Sequence, residues 1–371
     1  MVQRQRRLSW LDVAKGGAVI LVALFHATFY LGEVDLVHWT YAPLNDVLVQ
    51  LRMPTFFLAS GITTSFLLSR PRDTYVARKI LPLIWILVVW SVIRDIALLQ
   101  FRPFDGDPST GVGPLIHNML LSPNAGMWFV WSVAVLSVAA LVLRRLPWAL
   151  PAGALLAASV LVTGGVIPTD ATPFSAFLVG NFLTYAFLFF VGIGLAGLMT
   201  DIGASTRRAA MLLAAGGAGF VAANLITGAT GDGAAAAGLT AALRIGFGAL
   251  FGLAAAMLAD RAERLGPWLV WAGKRSLAIY VGHSLFMFWA IRLMPNGLAD
   301  TLAASPAATL AAPVVLTSVS VAGALALHEV LVRVRLGWLY VLPAEVCRSI
   351  VTRLTPPAAT PIRKDAAAPV R

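Results

Sequence analysis

The chain has 371 residues, of which 59% are hydrophobic and only 12% are charged, and its formal net charge is +11. Soluble domains carry about a quarter charged residues, so this composition excludes an ordinary soluble enzyme. The single cysteine, Cys347, excludes an intramolecular disulfide and a zinc–thiolate cluster. We expect no bound metal.

Apolar runs of about 20 residues, separated by short polar segments, follow one another along the chain. They predict an all-α, polytopic membrane bundle over residues 1–354. Residues 355–371 are rich in Pro, Ala and basic residues, which predicts a disordered cytoplasmic tail. About ten transmembrane helices are expected, at 11–31, 43–67, 77–98, 126–143, 147–166, 175–199, 208–227, 237–259, 270–292 and 308–332.

The basic residues are distributed unequally between the two sides of the membrane. With the N-terminus inside, every predicted cytoplasmic segment contains at least two basic residues, whereas the outside segments contain Arg102 alone. This alternation predicts that both termini are cytoplasmic, in a multi-pass protein of the cytoplasmic (plasma) membrane. The basic residues therefore indicate a lipid bilayer as partner, and no nucleic acid.

The first span carries three polar residues on one helix face, Asp12, Lys15 and His26, called the polar stripe below. Lys15 and His26 are eleven residues apart, which is close to three full turns and a rise of about 16 Å. Ionisable residues inside a span are costly and usually face a protein cavity. His26 is a candidate general base. Alternatively it donates to a neighbouring carbonyl group, and Lys15 merely reaches the cytoplasmic interface.

Three further residues in the spans are candidates for substrate contacts. Arg52, at a depth similar to that of His26, would stabilise an oxyanion or bind an acidic acceptor; alternatively it pairs with Asp46 at the interface. Tyr280 and His283 are three residues apart on one face of the ninth span. They would contact the substrate or the polar stripe, and a structural role is the alternative.

Four basic residues lie in the segment after the second span: Arg70, Arg72, Arg78 and Lys79. Such a group could bind the phosphates of a nucleotide. The alternative is that these residues only reflect the excess of positive charge that cytoplasmic segments carry.

Four sequence strings together carry a family resemblance. They are Lys15 and His26 with ten residues between them, Met53–Gly61 (MPTFFLASG), Trp128-Phe129, and Ser276–His283 (SLAIYVGH). The chain resembles the acyltransferase-3 family of integral membrane O-acyltransferases. The first motif begins with a lysine, Lys15, and in this respect the chain is similar to the fucose O-acetylase-like branch of the family. That branch often has His where this chain has Arg52.

The resemblance implies transfer of an acyl group, usually acetyl, from cytoplasmic acyl-CoA to a hydroxyl of a sugar, glycolipid or cell-envelope glycan at the outer face. Acyl-CoA would be a donor substrate, and no permanently bound cofactor is expected. His26, Lys15, Asp12 and Arg52 would form the catalytic site. A transporter or flippase of a lipid-linked sugar is the alternative function. The oligomeric state is not predicted.

The rise between Lys15 and His26 is also close to the length of an extended pantetheine arm. The nucleotide of the donor would then stay near Lys15 while its thioester reaches His26. A bulky residue at Gly16 or Gly17 would block this path if either glycine lined it.

Overall fold

The computed structural model describes residues 8–100, 113, 116, 119, 127–168, 178–229, 233–295 and 297–354. These residues form helices and contain no β-strand. Seven of the helices are long and apolar enough to cross a membrane. The predicted all-α polytopic membrane bundle is confirmed. The predicted tail at 355–371 lies outside the described residues.

The first half of the bundle has five α-helices joined by short connections or by undescribed segments. They are α1 (Ser9–Gly32), α2 (Tyr41–Leu68), α3 (Leu81–Gln100), α4 (Trp128–Val142) and α5 (Ala149–Thr163). A helical turn, Arg72–Tyr75, and a π-helical segment, Val76–Ile80, lead directly into α3.

The second half begins with another π-helical segment, Leu178–Leu183. It continues with α6 (Thr184–Gly203), α7 (Thr206–Ala229), α8 (Ala234–Ala259), α9 (Leu265–Lys274), α10 (Ser276–Arg292), α11 (Leu298–Ala303), α12 (Pro306–Arg333) and α13 (Ala344–Leu354).

Each of the ten predicted spans overlaps a described helix, but three of them differ from a full-length span. Helices α4 and α5 have 15 residues each, about 22 Å, which is less than the hydrocarbon thickness of a bilayer. The ninth predicted span is two helices, α9 and α10, separated at Arg275, where ψ is 8°. The number of crossings and the cytoplasmic position of both termini stay predictions.

Helix α1 lies at the centre of the bundle, in contact with α2, α8, α9, α10 and α12. Because protein surrounds α1 on several sides, its polar residues need not face lipid. Asp12 and His26 are both buried, at 5% and 8% exposure. The central position of α1 thus explains how this apolar helix holds a polar stripe.

Glycines allow the closest helix contacts, as is common in membrane bundles. Gly61 of α2 faces Gly192 of α6, and Gly16 of α1 faces Gly273 of α9. A Cβ atom on Gly192 would overlap the carbonyl oxygen of Leu58, so this helix pair has no room for a methyl group.

Gly192→Ala should therefore destabilise the bundle by about 1–3 kcal/mol, since α2 and α6 must move apart. Gly197, on the same helix, is exposed and has no atom within 4 Å of an added Cβ, so Gly197→Ala is the matched control. Thermal unfolding in detergent should show a lower Tm for Gly192→Ala alone. Equal Tm values for the two variants would contradict the proposed tight contact.

Candidate active site

Two buried histidines form a direct hydrogen bond where α1 and α10 pack together. The Nδ1 atom of His26 lies 2.9 Å from the Nε2 atom of His283. The Nδ1 atom of His283 lies 2.9 Å from the carbonyl oxygen of Ile279. His283 has no exposed surface and His26 is 8% exposed. The polar stripe of α1 therefore meets the predicted polar face of the ninth span.

For two neutral imidazoles, these contacts determine the tautomers. The Ile279 carbonyl can only accept, so His283 carries its hydrogen on Nδ1 and its Nε2 must accept. His26 must then carry its hydrogen on Nδ1 and donate it to His283. The remaining nitrogen, Nε2 of His26, keeps its lone pair, as a general base requires.

Tyr280 lies next to this pair and joins α10 to α4. Its ring centroid is 6.3 Å from that of His283. Its hydroxyl oxygen accepts a hydrogen bond of 3.2 Å from the backbone N–H of Phe129. Two of the strings that carry the family resemblance, Trp128-Phe129 and Ser276–His283, thus meet in space.

A cavity of about 180 Å³, called the two-lysine cavity below, lies beside α1. Lys15 and Lys79 contribute cations to its wall, and Ser276 and Tyr280 contribute hydroxyl groups. Typical small-molecule pockets have about 300–1,000 Å³, so this cavity has room for a slender chain rather than for a whole nucleotide.

Asp12 and Lys15 form an ion pair, with 3.8 Å between Oδ1 and Nζ. Lys15 keeps 29% of its side chain exposed, whereas Asp12 keeps 7%. The carboxylate therefore lies within ion-pair distance of an ammonium group at the wall of the cavity. Asp12 is placed to orient Lys15, and it is not among the residues that line the two-lysine cavity.

The four basic residues after α2 occupy different environments. Lys79, in the π-helical segment, is half-buried and lines the two-lysine cavity. Arg70, Arg72 and Arg78 are exposed and do not line it. The structure therefore brings Lys79 together with Lys15, and for the three arginines both predicted roles stay open.

Arg52 is buried close to His26. The residue is only 4% exposed, and its Cζ atom lies 4.3 Å from the centroid of the Phe25 ring. The Nη1 atom has no hydrogen-bond partner among the described residues. No ion pair with Asp46 is found among these residues, so the interfacial alternative gains no support.

Arg94 of α3 lies near the histidine pair, although the sequence does not predict it as a site residue. This guanidinium interacts electrostatically with both His26 and His283, and it lies 5.9 Å from the centroid of the Phe288 ring. The signal was present, because a lone arginine deep in an apolar span is itself costly. Without the fold, however, nothing connected α3 with the histidine pair.

The two glycines after Lys15 do not line the two-lysine cavity. Gly16 packs against the backbone of α9 at Leu269 and Gly273. Gly17 lines a separate apolar cavity of about 230 Å³, which also touches Arg52. Because neither glycine lines the two-lysine cavity, a bulky residue at either position is not expected to block a donor path through this cavity.

The helical membrane bundle thus contains a buried histidine pair and, beside it, a cavity lined by two lysines. The chain belongs to the acyltransferase-3 family, since the family model described as "Acyltransferase domain" matches residues 8–329. It is thus a multi-pass membrane acyltransferase. Comparisons with curated proteins and with solved structures gave no significant match. The resemblance to the fucose O-acetylase-like branch stays a prediction.

Proposed function

We propose that this protein is an O-acyltransferase of the plasma membrane. It transfers an acyl group, most simply acetyl, from cytoplasmic acyl-CoA to a hydroxyl of a sugar, glycolipid or cell-envelope glycan at the outer face. The observation that carries the proposal is the 2.9 Å hydrogen bond between His26 and His283, which leaves Nε2 of His26 as a base.

The two-lysine cavity supports an anionic donor. Lys15 and Lys79 face one small space, and paired ammonium groups are suited to the phosphates of CoA. Because the cavity is too small for a nucleotide, the nucleotide would remain at its mouth and the pantetheine arm would enter. Tyr280 lines the cavity and His26 does not, so the proposal requires the thioester to pass from the cavity, beside Tyr280, to His26.

The chemistry follows from the tautomer of His26. Its Nε2 takes the proton of the acceptor hydroxyl as the oxygen attacks the thioester carbonyl. The C–O bond forms, the carbonyl oxygen becomes an oxyanion, and the C–S bond then breaks. The CoA thiolate leaves and takes the proton from His26. The Nε2 of His283 stabilises the transient imidazolium by accepting from Nδ1, and Arg52 is the candidate cation for the oxyanion.

The proposal is tested with purified protein in nanodiscs, radiolabelled acetyl-CoA and a cell-envelope extract as acceptor. Release of CoA that depends on the extract, with label in a saccharide or glycolipid, is expected. A flippase of a lipid-linked sugar would instead move its substrate without consuming the thioester. Absence of CoA release and of label transfer would contradict the proposal.

Lys79→Gln should raise the KM for acetyl-CoA by about tenfold or more, because one charge-assisted contact to phosphate is lost. Lys15→Glu should raise it further by repulsion, and Lys15→Arg should retain much of the affinity. Arg207→Gln is the matched control, since Arg207 is exposed, does not line the cavity and lies on another helix, α7. An equal rise in the KM for acetyl-CoA in Lys79→Gln and Arg207→Gln would contradict donor binding in the two-lysine cavity.

A further inference from the structure

The histidine pair is accompanied by two guanidinium groups, buried Arg52 and half-buried Arg94, for which the described residues provide no acidic partner. Arg52 has one terminal nitrogen, Nη1, and Arg94 has two nitrogens, Nε and Nη1, that are buried without a hydrogen-bond partner among the described residues. Within that part of the chain, no carboxylate forms an ion pair with either guanidinium.

The contacts that are present do not compensate these charges. Arg52 lies over Phe25 and Arg94 lies near Phe288. A cation over an aromatic ring gains about 0.5–2 kcal/mol. A buried ion without paired charge costs several kcal/mol. As far as the described residues form it, the site is therefore electropositive, and a bound anion would relieve this cost.

The reaction intermediate can provide a negative charge for only one of the two guanidinium groups, Arg52 and Arg94. A tetrahedral intermediate supplies only one negative charge, and only transiently, so it accounts for one guanidinium. Arg94 interacts electrostatically with Tyr280 as well as with both histidines, and it does not line the two-lysine cavity. It is half-buried, so part of its side chain is accessible. These features suit a permanent anion that arrives with the acceptor.

We propose that the acceptor is anionic, with a phosphate or carboxylate group close to the hydroxyl that is acylated, and that Arg94 binds this group. This inference rests on the proposed function and narrows its acceptor class. A neutral sugar would bring no counter-charge for Arg94, which has none among the described residues.

The first experiment compares the acylated glycans and lipids of cells with and without the gene by mass spectrometry. The expected gene-dependent product carries its acyl group on a residue that bears, or directly adjoins, a phosphate or a carboxylate. Fragmentation distinguishes these two sources. A gene-dependent product acylated in a wholly neutral saccharide would overturn this inference and leave the acyltransferase proposal intact. Absence of any gene-dependent acylation would contradict both.

The second experiment measures kinetics with the product's unacylated precursor as acceptor. Arg94→Gln should raise the acceptor KM by about ten- to a hundredfold, the effect of losing one charge-assisted hydrogen bond, without raising the acetyl-CoA KM. Arg94→Lys keeps the charge but not the planar fork, so its acceptor KM should rise by only a fewfold.

Arg292→Gln is the control, because Arg292 belongs to the same bundle but is exposed. It loses the same charge and should keep the wild-type acceptor KM. If Arg94→Gln does not fold, the acceptor KM values of Arg94→Lys and Arg292→Gln are compared. The inference then requires a fewfold higher value for Arg94→Lys. A wild-type acceptor KM in every folded Arg94 variant would overturn the inference.

Discussion

Replacement of His26 by alanine should lower acyl transfer by about 10²–10⁴-fold, the usual loss for a general base. The substitution removes the Nε2 lone pair that the hydrogen bond to His283 leaves available. The protein should still insert and fold, since alanine is compatible with a membrane helix. Transfer of label from acetyl-CoA, corrected for the amount of folded protein, measures the effect.

His38→Ala provides a matched control. His38 lies between α1 and α2 and hydrogen-bonds to Thr40, away from the histidine pair. This variant should retain nearly all activity. Wild-type turnover in His26→Ala at normal expression would show that another residue removes the proton.

The second large effect is expected from His283, which in the proposed mechanism positions His26 rather than reacting itself. His283→Leu has a side chain of similar size but no acceptor for the Nδ1 hydrogen of His26. The imidazole is then free to rotate or to change tautomer. Loss of the orienting partner costs about 10⁴-fold in a serine protease triad, so a loss of at least about a hundredfold is expected here.

His283→Gln separates this role from packing. The carbonyl oxygen of glutamine can accept the same hydrogen, so activity should recover to within about tenfold of wild type. Equal and large losses in both variants would mean that His283 contributes shape rather than a hydrogen bond. The thermal stability of both variants, measured in parallel, controls for misfolding.

The sequence predicted those features that depend on local pattern. Span positions follow from apolar runs, and the shared face of Lys15 and His26 follows from helical geometry. The ninth span was predicted as one helix because hydropathy averages over Arg275, where the backbone leaves the helical conformation. No periodic pattern marks a single residue of this kind.

Contacts between helices could not be predicted from local sequence patterns. The sequence left open whether His283 meets the polar stripe, and only the packing of α10 on α1 placed it 2.9 Å from His26. The same holds for Lys79, which lies in a π-helical segment and lines a cavity that its arginine neighbours do not line. The role of Arg94 depends on α3, which no motif linked to the histidines.

The bond between His26 and His283 joins residues 257 positions apart in the chain. During synthesis, α1 enters the membrane long before α10 exists. Until then, His26 lacks His283 to fix its tautomer, and the nascent chain cannot have the arrangement that we propose for catalysis. Activity is therefore coupled to completion of the bundle: a chain cut before α10 would be inactive, and one supplied with α10 from a second fragment could regain activity.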